Sequence, residues 1–278
     1  MKRISLFFLI VTSSLIFGAC DVIEGSYLEE HDDGGVIGEK NLINVLILDF
    51  TGHTCKSCPK AHRTIDQLSD LYGDRVIPVA FHLGYFARPL SGDKFTKDFR
   101  TIQGAELESY YEFESFPIGL VGNLDKASLS SYSSWPTEVD AVMNDEATVE
   151  LMTTIDYHEN SREVQLTIKL INNSTLDGDV RLAVYLLEDG IISWQKDEDM
   201  DPIDIENYVH NHVFRTSVGS VWGETLSKSD CSVGANVQIE KFLVLEPSWV
   251  PENCSLVVFL YEAGIMEVIQ CTREILIK

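Results

Sequence analysis

Basic residues are scarce in this chain. Its 278 residues include 21 lysines and arginines against 44 aspartates and glutamates, which gives a formal net charge of −23 at pH 7. An acidic surface of that size repels the phosphate backbone of nucleic acids and opposes adsorption to anionic lipid. The composition therefore predicts that nucleic acid is not a partner.

Long hydrophobic runs are absent as well. The apolar stretch at residues 6–17 is shorter than the roughly 20 residues that a membrane-spanning helix needs. It follows the basic residues Lys2 and Arg3 and ends at small residues, and this combination is typical of a secretory signal. Residues 1–19 are therefore predicted to be a signal peptide.

The signal ends with Gly18-Ala19-Cys20. This tripeptide resembles the end of a bacterial lipoprotein signal, in which the cysteine is lipidated and becomes the first residue of the mature chain. The resemblance implies a lipid anchor at Cys20 that attaches the protein to the outer membrane. The alternative is an ordinary cleaved signal whose cysteine is incidental. Residues 20–41 are rich in Asp, Glu and Gly and are predicted to be a flexible acidic tether.

Only one closely spaced cysteine pair is present, in Cys55-Lys56-Ser57-Cys58. A second CxxC or CxxH pair that would complete a zinc site is missing, so no cofactor or metal is predicted. The pair follows a buried strand pattern and opens a helical pattern. Free N–H groups and a partial positive charge at a helix N-terminus favour a thiolate. Cys55 is therefore predicted to be the nucleophile, and Cys58 the resolving thiol, of thiol–disulfide exchange.

Strand and helix patterns alternate from residue 42 to residue 147. Continuous apolar runs predict buried strands, and apolar residues at three- and four-residue spacing predict helices. Gly73 is placed to end the helix that carries the cysteines, and Pro78 in the second strand warns of a sheet edge or a bulge. A polar excursion spans residues 84–114. The predicted elements are strands at 42–50, 76–81 and 116–121 and helices at 58–72, 104–113 and from 134 onward.

Two further features of this segment resemble thioredoxins. Asp49 lies six positions before Cys55, where thioredoxins carry a buried acid beneath the active site, and Pro117 falls where that fold places a cis-proline facing the disulfide. The resemblance implies an α/β thioredoxin-like domain at residues 42–147. It implies that Asp49 exchanges a proton with Cys58 and that Pro117 shapes a backbone edge for a substrate strand. Gly-Pro between the cysteines is replaced here, so the redox potential is not implied.

Two neighbours of the cysteines are predicted to modulate them. Lys56 would lower the pKa of Cys55 by its charge, and His53 would do the same when protonated. Both residues can instead be exposed turn residues, and for His53 this is the favoured interpretation. The cysteine pair itself can instead be a structural disulfide, because an oxidising compartment favours such bonds.

The pattern changes after residue 148 to short alternating strands separated by turn residues. Antiparallel strands at this spacing predict an all-β immunoglobulin-like sandwich at residues 148–278. It shows no catalytic constellation. The predicted strands lie at 149–158, 163–171, 180–187, 237–245, 255–261 and 267–277.

Three features of the second half were weighed as sites. The acids at 197–201 lack the glycine and the terminal glutamate of a calcium loop, so a solvated loop is favoured. His210 and His212 are expected on one side of a strand, where a surface or packing role is favoured over metal binding. An odd set of three cysteines leaves open one disulfide with one free thiol, or a bond to another chain. These cysteines are Cys231, Cys254 and Cys271.

Segments 50–59, 80–87 and 208–215 together resemble the Omp28-related family, outer-membrane lipoproteins of Bacteroidetes with a thioredoxin-like domain before a β-sandwich. The resemblance implies a cell-envelope location at the outer membrane. The predicted function is thiol–disulfide exchange with thiols or disulfides of exported proteins. The alternative is a surface binding or adhesion lipoprotein that retains the thioredoxin fold as a scaffold with a structural disulfide. Substrate, direction of electron flow and oligomeric state are not predicted.

Overall fold

The computed structural model describes residues 41–277. The predicted signal peptide at 1–19, the lipidation site Cys20 and, apart from Asn41, the tether at 20–41 lie outside the described residues. The described part has a mixed α/β architecture with extensive sheet, which confirms the mixed class expected from the sequence. Within it, no helix is both long and apolar enough to cross a membrane.

Helices and strands alternate in the first half of the described chain, and strands alone fill the second half. The first half contains β1 (Val45–Thr51), α1 (Cys58–Tyr72), β2 (Val76–His82), α2 (Gly84–Ala87), α3 (Ile102–Tyr111), β3 (Ile118–Val121) and α4 (Trp135–Val142). The second half contains β4 (Val149–His158), β5 (Glu163–Asn172), β6 (Val180–Glu188), β7 (Ile191–Lys196), β8 (Asp204–His210), β9 (Val213–Ser217), β10 (Glu224–Thr225), β11 (Asn236–Val244), β12 (Cys254–Glu262) and β13 (Glu267–Ile275).

The helix that carries the cysteines has the predicted bounds. Pro59 occupies the first turn, where its missing N–H leaves no helical bond unmade. Gly73 ends the helix with φ +60°, a conformation that glycine adopts without strain. Ala61, Ile65 and Leu68 are buried on one face of the helix. The apolar residues at three- and four-residue spacing in the sequence therefore form the face that packs on the sheet.

β1 lies at the centre of this part of the core and is buried on both faces. Ile47 packs with Trp135 and Val139 beneath α1 and α4. Leu48 and Phe50 point to the opposite face and pack with residues of α3 and of the second half of the chain. Because successive strand residues point to opposite faces, this double burial explains why the sequence of β1 is continuously apolar.

One eight-stranded sheet contains strands from both halves of the chain. Its order is β13-β12-β6-β9-β2-β1-β3, with β10 beside β6. β1 is parallel to β2 and antiparallel to β3. The two halves meet where β2 pairs with β9 through Ala80 and Val213. The domain boundary at residue 147 stays a prediction. β2 precedes this boundary and β9 follows it, and the two strands are neighbours in the same sheet.

A second, three-stranded sheet covers one face of the large sheet. Its order is β11-β5-β4, and all its strands are antiparallel. Leu166 and Ile168 of β5 pack with Val184 of β6 and Val258 of β12. The six strands predicted for the second half are therefore present, but only three of them form a separate sheet. The other three extend the mixed sheet, and an immunoglobulin-like arrangement stays a prediction.

The position of Pro78 explains why an interior strand tolerates proline. The backbone N–H of Ala80 donates to the carbonyl of His212 in the connection to β9, so the N–H groups of alternate residues in β2 point to that side. Pro78 has the same parity as Ala80 and has no partner on β9. The N–H group that Pro78 lacks would therefore point to a part of β2 that has no hydrogen-bonded neighbour on that side. At Pro78 this side of β2 is an edge of the sheet, as the proline predicted.

The sequence analysis missed the hairpin formed by β7 and β8. These strands pair only with each other, as a two-stranded sheet. The polar composition of residues 84–114 predicts an exposed segment, but two of its side chains, Phe95 and Phe99, are buried. Both features contact the loop before Cys55, because Lys196 of β7 donates to the carbonyl of His53 and the rings of Phe95 and Phe99 contact the His53 ring.

Candidate functional site

Cys55 and Cys58 form a disulfide at the junction of β1 and α1. The S–S distance is 2.06 Å and the two Cα atoms lie 5.4 Å apart. Ser57 precedes the helix without a side-chain hydrogen bond to it, and no acidic residue lies in the first turn of α1. The first backbone N–H groups of the helix are therefore not neutralised by a side chain, and they favour negative charge on a nearby sulfur.

Both cysteines are buried in this conformation. Cys55 is 3% exposed and Cys58 is fully buried. Burial of Cys58 agrees with the predicted resolving role. Cys55, the predicted nucleophile, offers very little surface to an incoming protein. Exchange at this sulfur therefore requires that the groups covering it move.

The loop before Cys55 is held by close backbone contact with α2. The N–H of Thr54 donates to the carbonyl of Phe86 at 3.0 Å, and the Thr54 hydroxyl donates to the same oxygen at 3.0 Å. Gly52 lies so close to this residue that a Cβ there would be 2.6 Å from the Phe86 carbonyl carbon. Glycine is therefore required at position 52 by space.

The Phe116–Pro117 peptide bond is cis, which confirms the isomer expected from the resemblance to thioredoxins. It lies next to the disulfide. The Ser57 hydroxyl donates to the carbonyl of Phe116 at 3.5 Å and is 3.8 Å from the sulfur of Cys55. Ser57 thus connects the sulfur to the proline loop, a contact that the sequence analysis did not predict.

Asp49 is fully buried and faces a histidine of α1. Its Oδ2 atom lies 3.4 Å from Nε2 of His62. The same Nε2 is 3.0 Å from the hydroxyl of Thr51, and Nδ1 of His62 is 2.6 Å from the hydroxyl of Tyr208 in β8. Among the described residues, neither oxygen of Asp49 has a hydrogen-bond partner. His62 is partly exposed and thus connects a buried carboxyl group to the surface.

A small cavity of about 50 Å³ lies beside this pair. Its lining includes Asp49, His62, His82, Tyr208 and His210. Burial lowers the pKa of His82 and lowers the pKa of His210 to about 3. Both imidazoles are therefore neutral at neutral pH. The volume is enough for a few water molecules, which polar walls of this kind bind.

His53 is the clearest correction to the sequence analysis. It was expected to be an exposed turn residue, yet it is fully buried between the rings of Phe95 and Phe99. Its Nε2 atom is 2.9 Å from the carbonyl oxygen of Arg88. Burial lowers the pKa of His53. Since the modulating role requires a protonated imidazole, the structure disfavours that role at neutral pH.

Residues 195–199 of the second half cover the CxxC loop; we call them the covering segment. The N–H of Lys196 donates to the carbonyl of His53 at 2.9 Å, and the N–H of Glu198 donates to the carbonyl of Lys56 at 2.9 Å. The side-chain amide of Gln195 donates to the carbonyl of Cys55 at 3.0 Å. The covering segment therefore bonds to the backbone on both sides of the nucleophile.

Ion pairs fasten the covering segment to α1. Glu198 lies 3.4 Å from Lys56 and 2.9 Å from Lys60. Arg63 pairs with Asp197 at 2.8 Å and also with Asp199. The acids at 197–201 were expected to form a solvated loop. Asp197 is instead buried, and its neighbours are paired with the helix.

The remaining candidates of the second half take packing roles. His210 is buried against Phe99, whereas His212 lies beyond the end of β8 and contacts Asp189, so the two imidazoles do not share one strand face. Within residues 41–277, no three His, Cys, Asp or Glu side chains are placed to hold a metal ion together.

The three cysteines of the second half form no disulfide. Cys231, Cys254 and Cys271 are all free and buried. Burial raises the pKa of all three thiols, to about 12 for Cys254. They therefore behave as small apolar residues rather than as reactive thiols.

The structure places the predicted cysteines, Lys56 and the Pro117 loop around one disulfide. Lys56 is exposed and shares Glu198 with Lys60. His62, Gln195 and Tyr208 belong to the site and were not predicted from the sequence. His62 stands four residues after Cys58 in a predicted helix, a spacing that could have placed it one turn along α1. Gln195 and Tyr208 lie too far along the chain for any local pattern to connect them to the cysteines.

The sequence profile of the family "Outer membrane protein Omp28" matches residues 105–277, more than half of the chain. The chain belongs to the Omp28 family. It is accordingly an outer-membrane protein. The matched region begins after the CxxC motif and includes the covering segment. Family membership therefore rests on residues other than Cys55 and Cys58.

Two solved structures share the fold of this Omp28-family chain. HBP35 of Porphyromonas gingivalis is 16% identical with a TM-score of 0.64, and the alignment covers 86% of this chain and 76% of HBP35. Protein AGR_C_4864 of Agrobacterium tumefaciens is 12% identical with a TM-score of 0.52, covering 86% of this chain and 96% of that one. No curated protein matches the sequence. Identities this low support a common fold and carry no activity to this chain.

Proposed function

We propose that this Omp28-family protein is a lipid-anchored thiol–disulfide exchange protein of the cell envelope. The observation that carries the proposal is the Cys55–Cys58 disulfide at an uncapped helix N-terminus, joined through Ser57 to a cis-proline loop. Lipidation at Cys20 would hold the protein at the outer membrane. Its partners would be exported proteins that carry thiols or disulfides.

The local topology supports a thioredoxin-like interpretation of residues 42–147. β1 leads into the CxxC helix, lies parallel to β2, and pairs antiparallel with β3, the strand that follows Pro117. α1 and α4 pack on one face of β1, and α3 packs on the other. A buried acid, Asp49, lies on β1 as the resemblance implies.

In the oxidised state the first step is attack by a substrate thiolate on the sulfur of Cys55. A mixed disulfide forms between the substrate and Cys55, the Cys55–Cys58 bond breaks, and Cys58 leaves as a thiolate. A second substrate thiolate then attacks the substrate sulfur of the mixed disulfide and releases Cys55. The substrate loses two electrons and forms a disulfide, and the protein gains two and becomes a dithiol. The reverse sequence reduces a substrate.

The N-terminus of α1 would act on Cys55, and Asp49 would act on Cys58. The free N–H groups of α1 and the charge of Lys56 would lower the pKa of Cys55 and make it the better leaving and attacking group. Cys58 is buried, and burial disfavours the charged thiolate. The thiolate that leaves in the first step would therefore take up a proton. Asp49 and His62 would supply that proton from the surface.

A structural disulfide in a binding protein is the second candidate, and one observation favours it. Cys55 is 3% exposed, and the covering segment bonds to the carbonyls of Cys55 and Lys56. A bond sealed in this way would staple the loop between β1 and α1. The two candidates differ in the reactivity of Cys55, which can be measured.

A trapping experiment tests the proposal. Cys58→Ser should leave Cys55 unable to resolve a mixed disulfide, so partner proteins should accumulate on it in intact cells and disappear when a reductant is added. Cys55→Ser is the matched control and should trap far less. Equal trapping by the two variants, or none by either, would refute exchange.

Equilibration in graded glutathione buffers gives an independent measurement. A CxxC pair that exchanges with envelope thiols should have a potential well above about −300 mV, the range below which structural disulfides fall. A measured potential below that value would support the staple.

A further inference from the structure

The covering segment carries acids that match the cations around the disulfide. Three cations lie just before α1 and in its first turns, in a chain where acids outnumber bases two to one. The side chain of Lys56 is 64% exposed, that of Lys60 is 31% exposed and that of Arg63 is 45% exposed. Each of them is paired with a carboxylate of the segment.

The backbone of the CxxC loop offers a row of acceptors. The carbonyls of His53, Cys55 and Lys56 all receive hydrogen bonds from the covering segment, two from backbone N–H groups and one from Gln195. The two backbone donors are Lys196 and Glu198, which are alternate residues. Lys196 is the last residue of β7 and Glu198 lies in the turn that follows, so the loop carbonyls accept backbone N–H groups from a short irregular segment. Such main-chain bonds can form with a peptide of any sequence.

We infer that the covering segment is an internal stand-in for the peptide that this surface binds. When the segment is released, the surface takes an acidic peptide through the same carbonyl row and the same three cations. The surface consists of the carbonyls at residues 53–56 together with Lys56, Lys60 and Arg63. The inference deepens the proposed function, because the bound peptide would be the part of the exported partner next to the exchanged sulfur.

Charge decides which peptides fit. The three cations form a basic patch on a strongly acidic protein, so an acidic peptide is attracted at the patch, whereas a neutral one gains only the backbone bonds. The covering segment shows the required pattern, Gln-Lys-Asp-Glu-Asp, in which the donors of the first residues bond to the loop and the acids that follow reach α1.

Competition between the two occupants controls access to Cys55. The ion pairs of Glu198 and Asp199 lie at the surface, where each contributes little and is screened by salt. Removing these two pairs therefore favours release of the segment, in which Gln195 and Lys196, the last residues of β7, also leave the loop and the Asp197–Arg63 pair also breaks. A peptide that binds only the released state has its apparent affinity reduced by the fraction of molecules that are released.

Peptide binding to the oxidised protein tests the inference without any redox step. The probe is a fluorescent synthetic peptide that copies residues 193–201, and the control peptide has amides in place of all its carboxylates. The proteins are the wild type, the double variant Glu198→Gln/Asp199→Asn, and the same double variant with Lys60→Glu. Fluorescence anisotropy gives the dissociation constants at low and at high salt.

The acidic peptide should bind the double variant about threefold to tenfold more tightly than the wild type, as expected for removal of a few exposed ion pairs. Binding should weaken at high salt, and Lys60→Glu should reverse the gain. The amide peptide should bind none of the three proteins measurably. Hydrogen exchange of the Lys196 and Glu198 amides should be faster in the double variant by the same factor.

Several results would overturn the inference. Equal exchange of these two amides in both proteins would show that the ion pairs do not hold the segment. Faster exchange without peptide binding would show that the uncovered surface has no peptide affinity, and equal binding of both peptides would remove the role of charge. If the peptide binds as expected but the Cys58→Ser variant traps no partner, the surface stands and the exchange function fails.

Discussion

Acidification should destabilise this protein through a buried histidine in the β7–β8 hairpin. His210 is 2% exposed and packs against Phe99 and His82. Burial lowers the pKa of His210 from an ordinary 6.5 to about 3. The unfolded chain therefore binds a proton at this residue over a pH range in which the folded chain does not.

The sign and size of the effect follow from proton linkage. Because the unfolded state binds more protons between pH 6.5 and pH 3, unfolding becomes easier as the pH falls through that range. The contribution of His210 is fully present above pH 6.5. A pKa difference of this size implies a loss of about 2–3 kcal/mol in the free energy of unfolding between pH 6 and pH 4, from one residue.

Urea unfolding of His210→Phe at several pH values measures this contribution. The cavity of about 50 Å³ beside the imidazole gives room for the larger ring. Between pH 6 and pH 4 the free energy of unfolding of the variant should fall by about 2–3 kcal/mol less than that of the wild type, whatever the stability of the variant at pH 7. His158→Phe, the same substitution at an exposed position, is the control for the replacement of a histidine by phenylalanine. Equal slopes for His210→Phe and the wild type would refute the reasoning.

Three further substitutions should lower the stability of the fold, each measured by urea or thermal unfolding. Trp135→Ala removes the fully buried indole of the first residue of α4 and should cost about 3–5 kcal/mol; a loss below about 1 kcal/mol would mean that neighbouring side chains fill the space. Gly52→Ala places a Cβ 2.6 Å from Phe86 and should cost about 1–3 kcal/mol, whereas an unchanged midpoint would show that the loop can shift. Glu188→Gln breaks a buried pair with Arg215 and should cost about 3 kcal/mol, which is contradicted if the variant unfolds like the wild type.

Local patterns predicted the parts of the fold that local rules determine. α1 begins and ends where the spacing of its apolar residues, Pro59 and Gly73 place its limits. β4 has the predicted bounds because its alternation is regular over its whole length. The cysteine pair was found from a short motif, because it depends on residues close together in the chain. The cis bond before Pro117 was expected instead from the resemblance to thioredoxins.

The rest of the site depends on contacts between distant parts of the chain. β7 and β8 are rich in polar residues and pair only with each other, so neither shows the apolar run of a buried strand. His53 is buried by Phe95 and Phe99, which lie about 40 residues further along the chain in a segment that is polar on average. The residues next to His53 in sequence therefore predicted an exposed turn. A pattern confined to neighbouring residues contains no information about either contact.

The division of the site between the two halves of the chain bears on what family membership can say about chemistry. The Omp28 match spans residues 105–277 and so includes the residues that cover the disulfide, but it excludes Cys55 and Cys58. Membership therefore supports the sheet, the β7–β8 hairpin and the outer-membrane location, whereas reactivity has to be established from the cysteines alone. Exchange has one physical requirement that a staple does not have, because the groups that leave Cys55 only 3% exposed must first move. The ease of that movement, together with the redox potential of the pair, decides whether the disulfide works as a reagent or as a staple.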